Sequence, residues 1–381
     1  MRSFFVLFLS FLFLFAKAQD TIYARKIIKE LTSAKYFGRG YVKNGGEKAA
    51  KFLEKELKKN KTLPLFADGY FQNYKFSVNT FPSEMELKLN GKVLVPGKDF
   101  IVAPESNAMD GIFILNKKDS VTWMNENYGN PLLLVKKKKL TYSVATHTAP
   151  YCKVEILESS LPPGNLVAEV GIENKFKMDF PNKNVCAYVN GIVNNDSMIV
   201  FTAHYDHLGG MGNKTFFPGA NDNASGVSFF LNLAKYYATH PPKYKTLFLF
   251  FSGEEAGLLG SDHFVKNKTV DLSKIKFLIN LDLLATGDDG IMLVNGAIHE
   301  KEFALMQKIN SEKGLVKEIK KRGKAKNSDH YWFTEAGVPA FFLYTLGGVT
   351  FYHDVFDKAE TIPLTDYCDV FKLLLEFINQ F

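Results

Sequence analysis

Cysteine is scarce: the 381 residues hold only Cys152, Cys186 and Cys368. Three is an odd number without metal-type spacing, so at most one disulfide can form, the sequence does not choose the pair, and a thiolate zinc site is not expected. Proline and glycine, 14 and 28 residues, are too few for a collagenous or low-complexity chain. A strong charge of one sign is missing too. Lys and Arg total 47 against 40 Asp and Glu, a surplus too mild to indicate nucleic acid. Beyond the N-terminal segment no apolar run approaches the ~20 residues of a membrane span. What is present, 46% apolar and 23% charged residues, describes a folded globular chain of a size for about two domains at ~150 residues each.

Met1 to Ala18 combines a basic start (Arg2), an apolar run from Phe4 to Phe15 and the small residues Ala16 and Ala18 around Lys17. This is the pattern of a secretory signal, and its apolar run is about half the ~20 residues needed to span a bilayer. An exported protein, periplasmic or extracellular, is expected. No cysteine directly follows Ala18, so no lipid anchor is indicated.

Apolar residues recur at helical spacing over Thr21 to Phe37 and Gly45 to Asn60, predicting two amphipathic helices. From Val78 to Pro181 short β-type runs (Met85 to Leu89, Gly111 to Leu115, Leu132 to Val135, Val154 to Leu157) alternate with turns such as Asn90-Gly91 and Pro162-Pro163-Gly164, predicting a small β-rich insert. Its run Lys136 to Lys139 reads as a solvated edge that discourages strand pairing. After Pro181, apolar strands alternate with helices: Asn184 to Val189, Met198 to Ala203, Thr246 to Phe251, Lys276 to Leu281 and Pro339 to Tyr344, against Ala224 to Thr239, Leu258 to Asn267, Lys301 to Lys313, Asp329 to Ala336 and Leu364 to Phe381. The expected fold is α/β, a mostly parallel mixed sheet flanked by helices. Domain limits follow: 1–18 the signal, 19–77 an N-terminal helical part of the main domain, 78–181 the β-rich insert, and 182–381 the α/β domain.

In such sheets, sites gather at the carboxyl ends of the strands. His204 and Asp206 follow one strand, and a carboxylate near an imidazole can fix its tautomer for metal binding. Asp222 lies in the small-residue segment Gly219 to Gly226; it or Asn223 could simply cap the next helix, yet the small neighbours also let backbone crowd a carboxylate that bridges two cations. Glu254 and Glu255 follow an apolar strand, where adjacent carboxylates repel unless positive charge lies beside them. One would coordinate while the other removes a water proton. Asp282 ends a further strand, and His353 sits in a late loop. The nitrogen and oxygen donors His204, Asp222, Glu255, Asp282 and His353 suit zinc first, with manganese or cobalt as alternatives. With one carboxylate shared, they furnish three ligands to each of two ions.

The blocks "AHYDHLG", "GANDNASG", "FFSGEEAGLLGS", "NLDLLATG", "SDHYWFTEAGVPA" and "YHDVFDKAETI" together resemble the family of co-catalytic zinc aminopeptidases and glutamate-carboxypeptidase-like enzymes. The resemblance implies a zinc aminopeptidase-like fold, with the insert in the place of a protease-associated domain. It implies two zinc ions, with His204 and Asp282 on one, Glu255 and His353 on the other and Asp222 on both. Glu254 would be the general base, Asp206 would orient His204, and Tyr352 would donate to the oxygen of the tetrahedral intermediate. It also implies a cis peptide bond between Asp222 and Asn223. The pattern departs at "HDVFD", where relatives more often carry His-Thr-Pro before the aspartate, here Asp357. His207, His263 and His330 take structural or supporting places.

The expected activity is a secreted two-zinc aminopeptidase acting on peptides. The alternatives are a single-zinc glutaminyl cyclase-like transferase and a non-catalytic, receptor-like relative. Side-chain specificity, aminopeptidase against carboxypeptidase polarity and oligomeric state are not set by the sequence.

Overall fold

Strands Met198–His204, Lys245–Phe251 and Ile275–Leu281 bury nearly every residue, which is why their sequences are apolar on both faces rather than alternating. In the computed structural model, which describes residues 20–125 and 129–381, they form the centre of a nine-stranded sheet. The expected signal, 1–18, lies outside the described residues. Met198–His204 pairs in parallel with both Lys245–Phe251 and Ile275–Leu281, and the latter pairs in parallel with Ala340–Thr345. Four carboxyl ends therefore open on one edge of the sheet. Short strands Ile291–Val294 and Ile319–Lys321, absent from the sequence reading, extend one side; the long antiparallel strand Lys175–Val189 extends the other, with Leu63–Pro64 and Phe71–Thr80 paired along its far edge.

Seven α-helices accompany the sheets among the described residues: α1 Thr21–Leu31, α2 Gly45–Lys59, α3 Gly226–Tyr237, α4 Leu259–Lys266, α5 Glu300–Lys313, α6 His330–Glu335 and α7 Tyr367–Ile378. The apolar stripes of α1, α2, α3, α5 and α7 join the sheet in a core that includes Ile27, Leu53, Phe230, Phe248, Phe341 and Phe371, while α4 and α6 bring Phe264 and Phe333 to a second core with Val200, Leu249 and Leu278. Helix α1 stops at Leu31, short of the predicted Phe37. The chain is extended at Ser33 and turns further on through left-handed backbone at Phe37 and Gly38 (φ 42° and 71°). A Cβ at Gly38 would lie 2.2 Å from the Gly209 carbonyl oxygen, so this turn needs glycine to sit against the site loop. Among the described residues no helix is long and apolar enough to cross a membrane.

A second, eight-stranded sheet draws on strands between Glu86 and Ile172 and is antiparallel except where Leu132–Lys137 meets Cys152–Leu157. The chain runs out to it on Phe71–Thr80 and back on Lys175–Val189, two strands paired with each other. Its core, with Leu87, Phe100, Val154 and Val170, also takes in Leu208, Met211, Phe217 and Val355. Those four belong to the loops around His204 and His353, so the second sheet packs on the site itself. The lysine run does not begin on a sheet edge as expected, since Leu132–Lys137 pairs with Thr122–Met124 on one side and Cys152–Leu157 on the other. Lys136 pairs with Glu158 at 2.9 Å, Lys137 with Glu155 at 3.4 Å, and Lys139 donates to the Thr350 carbonyl at 2.8 Å. All three cysteines are free, Cys152 and Cys186 buried.

Candidate metal centre

Parallel pairing brings the ends of adjacent strands side by side. His204 closes its strand, Glu254 and Glu255 follow Phe251, and Asp282 follows Leu281. Asp222 arrives from the loop before α3, and His353 from the loop after Ala340–Thr345. The peptide between Asp222 and Asn223 is cis, as the resemblance implies. Asn223 Oδ1 accepts from the amide of Gly226, the first residue of α3, at 3.0 Å, while Asp222 Oδ1 lies 3.3 Å from His204 Nε2.

The two oxygens of Asp222 address different imidazoles. Its Oδ1 lies 3.3 Å from His204 Nε2, and its Oδ2 3.1 Å from His353 Nε2. Asp282 Oδ2 is 3.3 Å from His204 Nε2, and Glu255 Oε2 is 3.2 Å from His353 Nε2. Ligands of a tetrahedral zinc at about 2.0–2.1 Å stand about 3.3 Å from one another, the spacing of these pairs. Asp282 Oδ1 is buried without a hydrogen-bond partner among the described residues, an acceptor left for something cationic. Glu254 offers a carboxylate oxygen within 4.8 Å of donor atoms of His204 and Asp282. The residues present thus fit a pair of zinc ions in number, donor type and spacing.

Electrostatics agree with that demand for positive charge. Burial pushes the Glu254 carboxyl well above the usual carboxylate range, with Glu255 and Asp282 adding to it. Burial opposes charge on His353, but Glu255 and Asp222 raise its imidazole to about 11.

Supporting contacts differ from the sequence reading in detail. The expected orienting partner of His204 is the Asp206 carboxylate; the nearer acceptor for Nδ1 is the Asp206 main-chain carbonyl at 3.1 Å, with Oδ1 at 3.8 Å. The carboxylate instead receives the Tyr41 hydroxyl at 2.9 Å and the Glu254 amide at 3.4 Å. Tyr352 stacks on His353 with centroids 3.9 Å apart and is 43% exposed, open to a bound molecule. Asp357, the residue at the motif departure, accepts the Asn221 and Asp222 amides at 2.8 and 3.1 Å. His330 is fully buried at the start of α6, and His263 stacks on Tyr74.

Arg39 escaped the sequence reading. It is fully buried and donates to the carbonyls of Tyr205, Leu31, Pro218, Gly219 and Asp222 at 2.7–3.3 Å. With Asp357 holding the amides and Arg39 the carbonyls, the Asp222 loop is gripped from both sides. The available signal was an arginine between two glycines, Gly38-Arg39-Gly40, just ahead of an amphipathic helix.

Residues 184–378 match Peptidase family M28. Aminopeptidase YwaD of Bacillus subtilis is 30% identical over 151 residues, 38% of this chain and 31% of the relative. A probable zinc metalloprotease of Pyrenophora tritici-repentis is 30% identical over 136 residues, 33% and 28% of the two chains. The aligned part thus spans less than a third of these relatives. Among solved structures, BSAP, a zinc aminopeptidase from Bacillus subtilis, superposes with a TM-score of 0.69 at 18% identity over 95% of each chain. An aminopeptidase from Aneurinibacillus sp. strain AM-1 gives 0.64 at 19% over 96% of this chain and 94% of that one. A glutaminyl cyclase from an Acidobacteriales bacterium gives 0.55 at 16% over 94% and 93%. At such identities the likeness is one of fold.

Proposed function

Since this chain belongs to peptidase family M28, which covers its residues 184–378, we propose that it is an exported two-zinc exopeptidase that removes N-terminal residues from peptides. The observation that carries this reading is the division of Asp222, one oxygen toward His204 and the other toward His353. A carboxylate placed so is suited to bridge two cations, with Asp282 completing one half and Glu255 the other. Export rests on the signal pattern of Met1 to Ala18.

Zinc held by these residues supplies Lewis acidity toward a peptide carbonyl and lowers the pKa of a nearby water. Glu254, half-buried and of raised proton affinity, takes the proton from the attacking water and delivers it to the leaving amine. Its backbone N–H donates to Asp206 Oδ1, which holds the residue in place between the transfers. The Tyr352 hydroxyl donates to the substrate oxygen as negative charge develops there.

The test is Glu254→Gln, assayed on aminoacyl-arylamides with and without chelator alongside metal analysis. Hydrolysis should fall about 10²–10⁴-fold, the usual worth of a general base, with zinc content unchanged at two per chain. Loss of metal together with activity would make Glu254 a ligand instead. One zinc per chain with cyclisation of an N-terminal Gln peptide would favour the glutaminyl cyclase-like alternative.

A further inference from the structure

His207 is fully buried beside the centre, and its Nδ1 lies 2.6 Å from Glu255 Oε1. A carboxylate at this distance can only accept, so the ring carries its proton on Nδ1. The two oxygens of Glu255 are therefore divided: Oε1 belongs to His207, and Oε2 faces His353 Nε2 at 3.2 Å. The ring is wedged in place. It meets His353 edge-on at 5.8 Å, and a Cβ on Gly219 would come within 2.4 Å of its Cδ2, so the glycine leaves room for the imidazole.

We infer that His207 is a positioning residue: it holds one oxygen of Glu255 so that only the other reaches the cation shared with His353. The inference rests on the two-zinc reading above and adds that the two halves of the centre are supported differently. Neighbouring donors of this kind orient metal ligands, and their loss typically weakens binding about 10- to 100-fold. On the other half, His204 leans on a main-chain carbonyl that no side-chain substitution at 207 removes.

Two variants separate the donor from the bulk of the ring. The amide nitrogen of an Asn side chain falls near the place of Nδ1, whereas that of Gln falls near Nε2. Zinc affinity is measured by competition with a chromophoric chelator for the wild type, His207→Asn and His207→Gln. In His207→Gln one of the two ions should weaken by about 10- to 100-fold, while the other stays and thermal stability of the zinc-free protein is unchanged relative to His207→Asn. His207→Asn should hold both ions close to wild type. Equal behaviour of the two variants, or parallel loss of both ions in His207→Gln, overturns the inference and leaves the two-zinc reading standing. A wild-type chain that binds a single zinc overturns both.

Discussion

Tyr142 and His353 are joined twice through the main chain: His353 Nδ1 faces the Tyr142 carbonyl at 2.9 Å, and the Tyr142 amide donates to the His353 carbonyl at 2.9 Å. Donation from Nδ1 leaves the Nε2 lone pair for a cation held between it and the carboxylates of Asp222 and Glu255. Tyr142 is kept there by its ring, stacked on Phe217 with centroids 4.5 Å apart and 8° between planes. The second sheet's connecting loop is thus part of the scaffold of the centre.

Removing that ring should loosen His353. Tyr142→Ala is expected to cost about 3–5 kcal/mol, the range for truncating a buried aromatic, and to lower kcat/KM beyond what the lost stability explains. Tyr142→Phe, which keeps the stack, should match the wild type. Thermal unfolding with steady-state assays well below the melting point checks both; full activity in Tyr142→Ala would disprove the coupling.

Arg39 gives a second test. A lysine carries one ammonium and cannot span the five carbonyls that the guanidinium reaches. Arg39→Lys should lose about 2–5 kcal/mol, since buried carbonyls left unpaired cost about 1–3 kcal/mol each. Urea denaturation measures it. A change under about 0.5 kcal/mol, the size of an ordinary surface substitution, would show that the carbonyls find other partners.

The parts of the centre that lie at strand ends were legible because an apolar strand followed by a carboxylate or imidazole is itself the signal. His204, Glu254, Glu255 and Asp282 are of this kind. Asp222 was legible through its small neighbours, which the crowded loop requires. What stayed hidden depends on long-range meeting. Arg39 contacts residues from Leu31 to Asp222, and Tyr142 acts through backbone atoms that any residue carries. Strand Phe71–Thr80 has mixed burial and polar residues throughout, so its pairing with Lys175–Val189 decides its conformation, not its own pattern. The predicted run of helix as far as Phe37 failed for the same reason: beyond the extended Ser33, the turn at Phe37 and Gly38 answers to Gly209, far along the chain.

Acid stability should bear the mark of His330. Burial lowers its imidazole from 6.5 to about 4, so between those values the unfolded chain binds a proton that the folded chain refuses. Its contribution is full above about 6.5 and is lost as pH falls toward about 4, by at most about 3 kcal/mol. His330→Phe keeps an aromatic ring against Phe342, now 5.3 Å away, and cannot titrate. Its unfolding free energy should fall less steeply than the wild type's between about pH 6.5 and 4. Parallel curves for the two proteins would refute the assignment.

The paired strands Phe71–Thr80 and Lys175–Val189 form a stem on which the polypeptide departs and comes home side by side. Such a stem lets a whole module be grafted or pruned in descent while the strand order of the main sheet survives. The Tyr142 carbonyl sets a condition on that freedom. A descendant that shed the module would have to recruit a fresh acceptor for His353 or accept an imidazole free to swing.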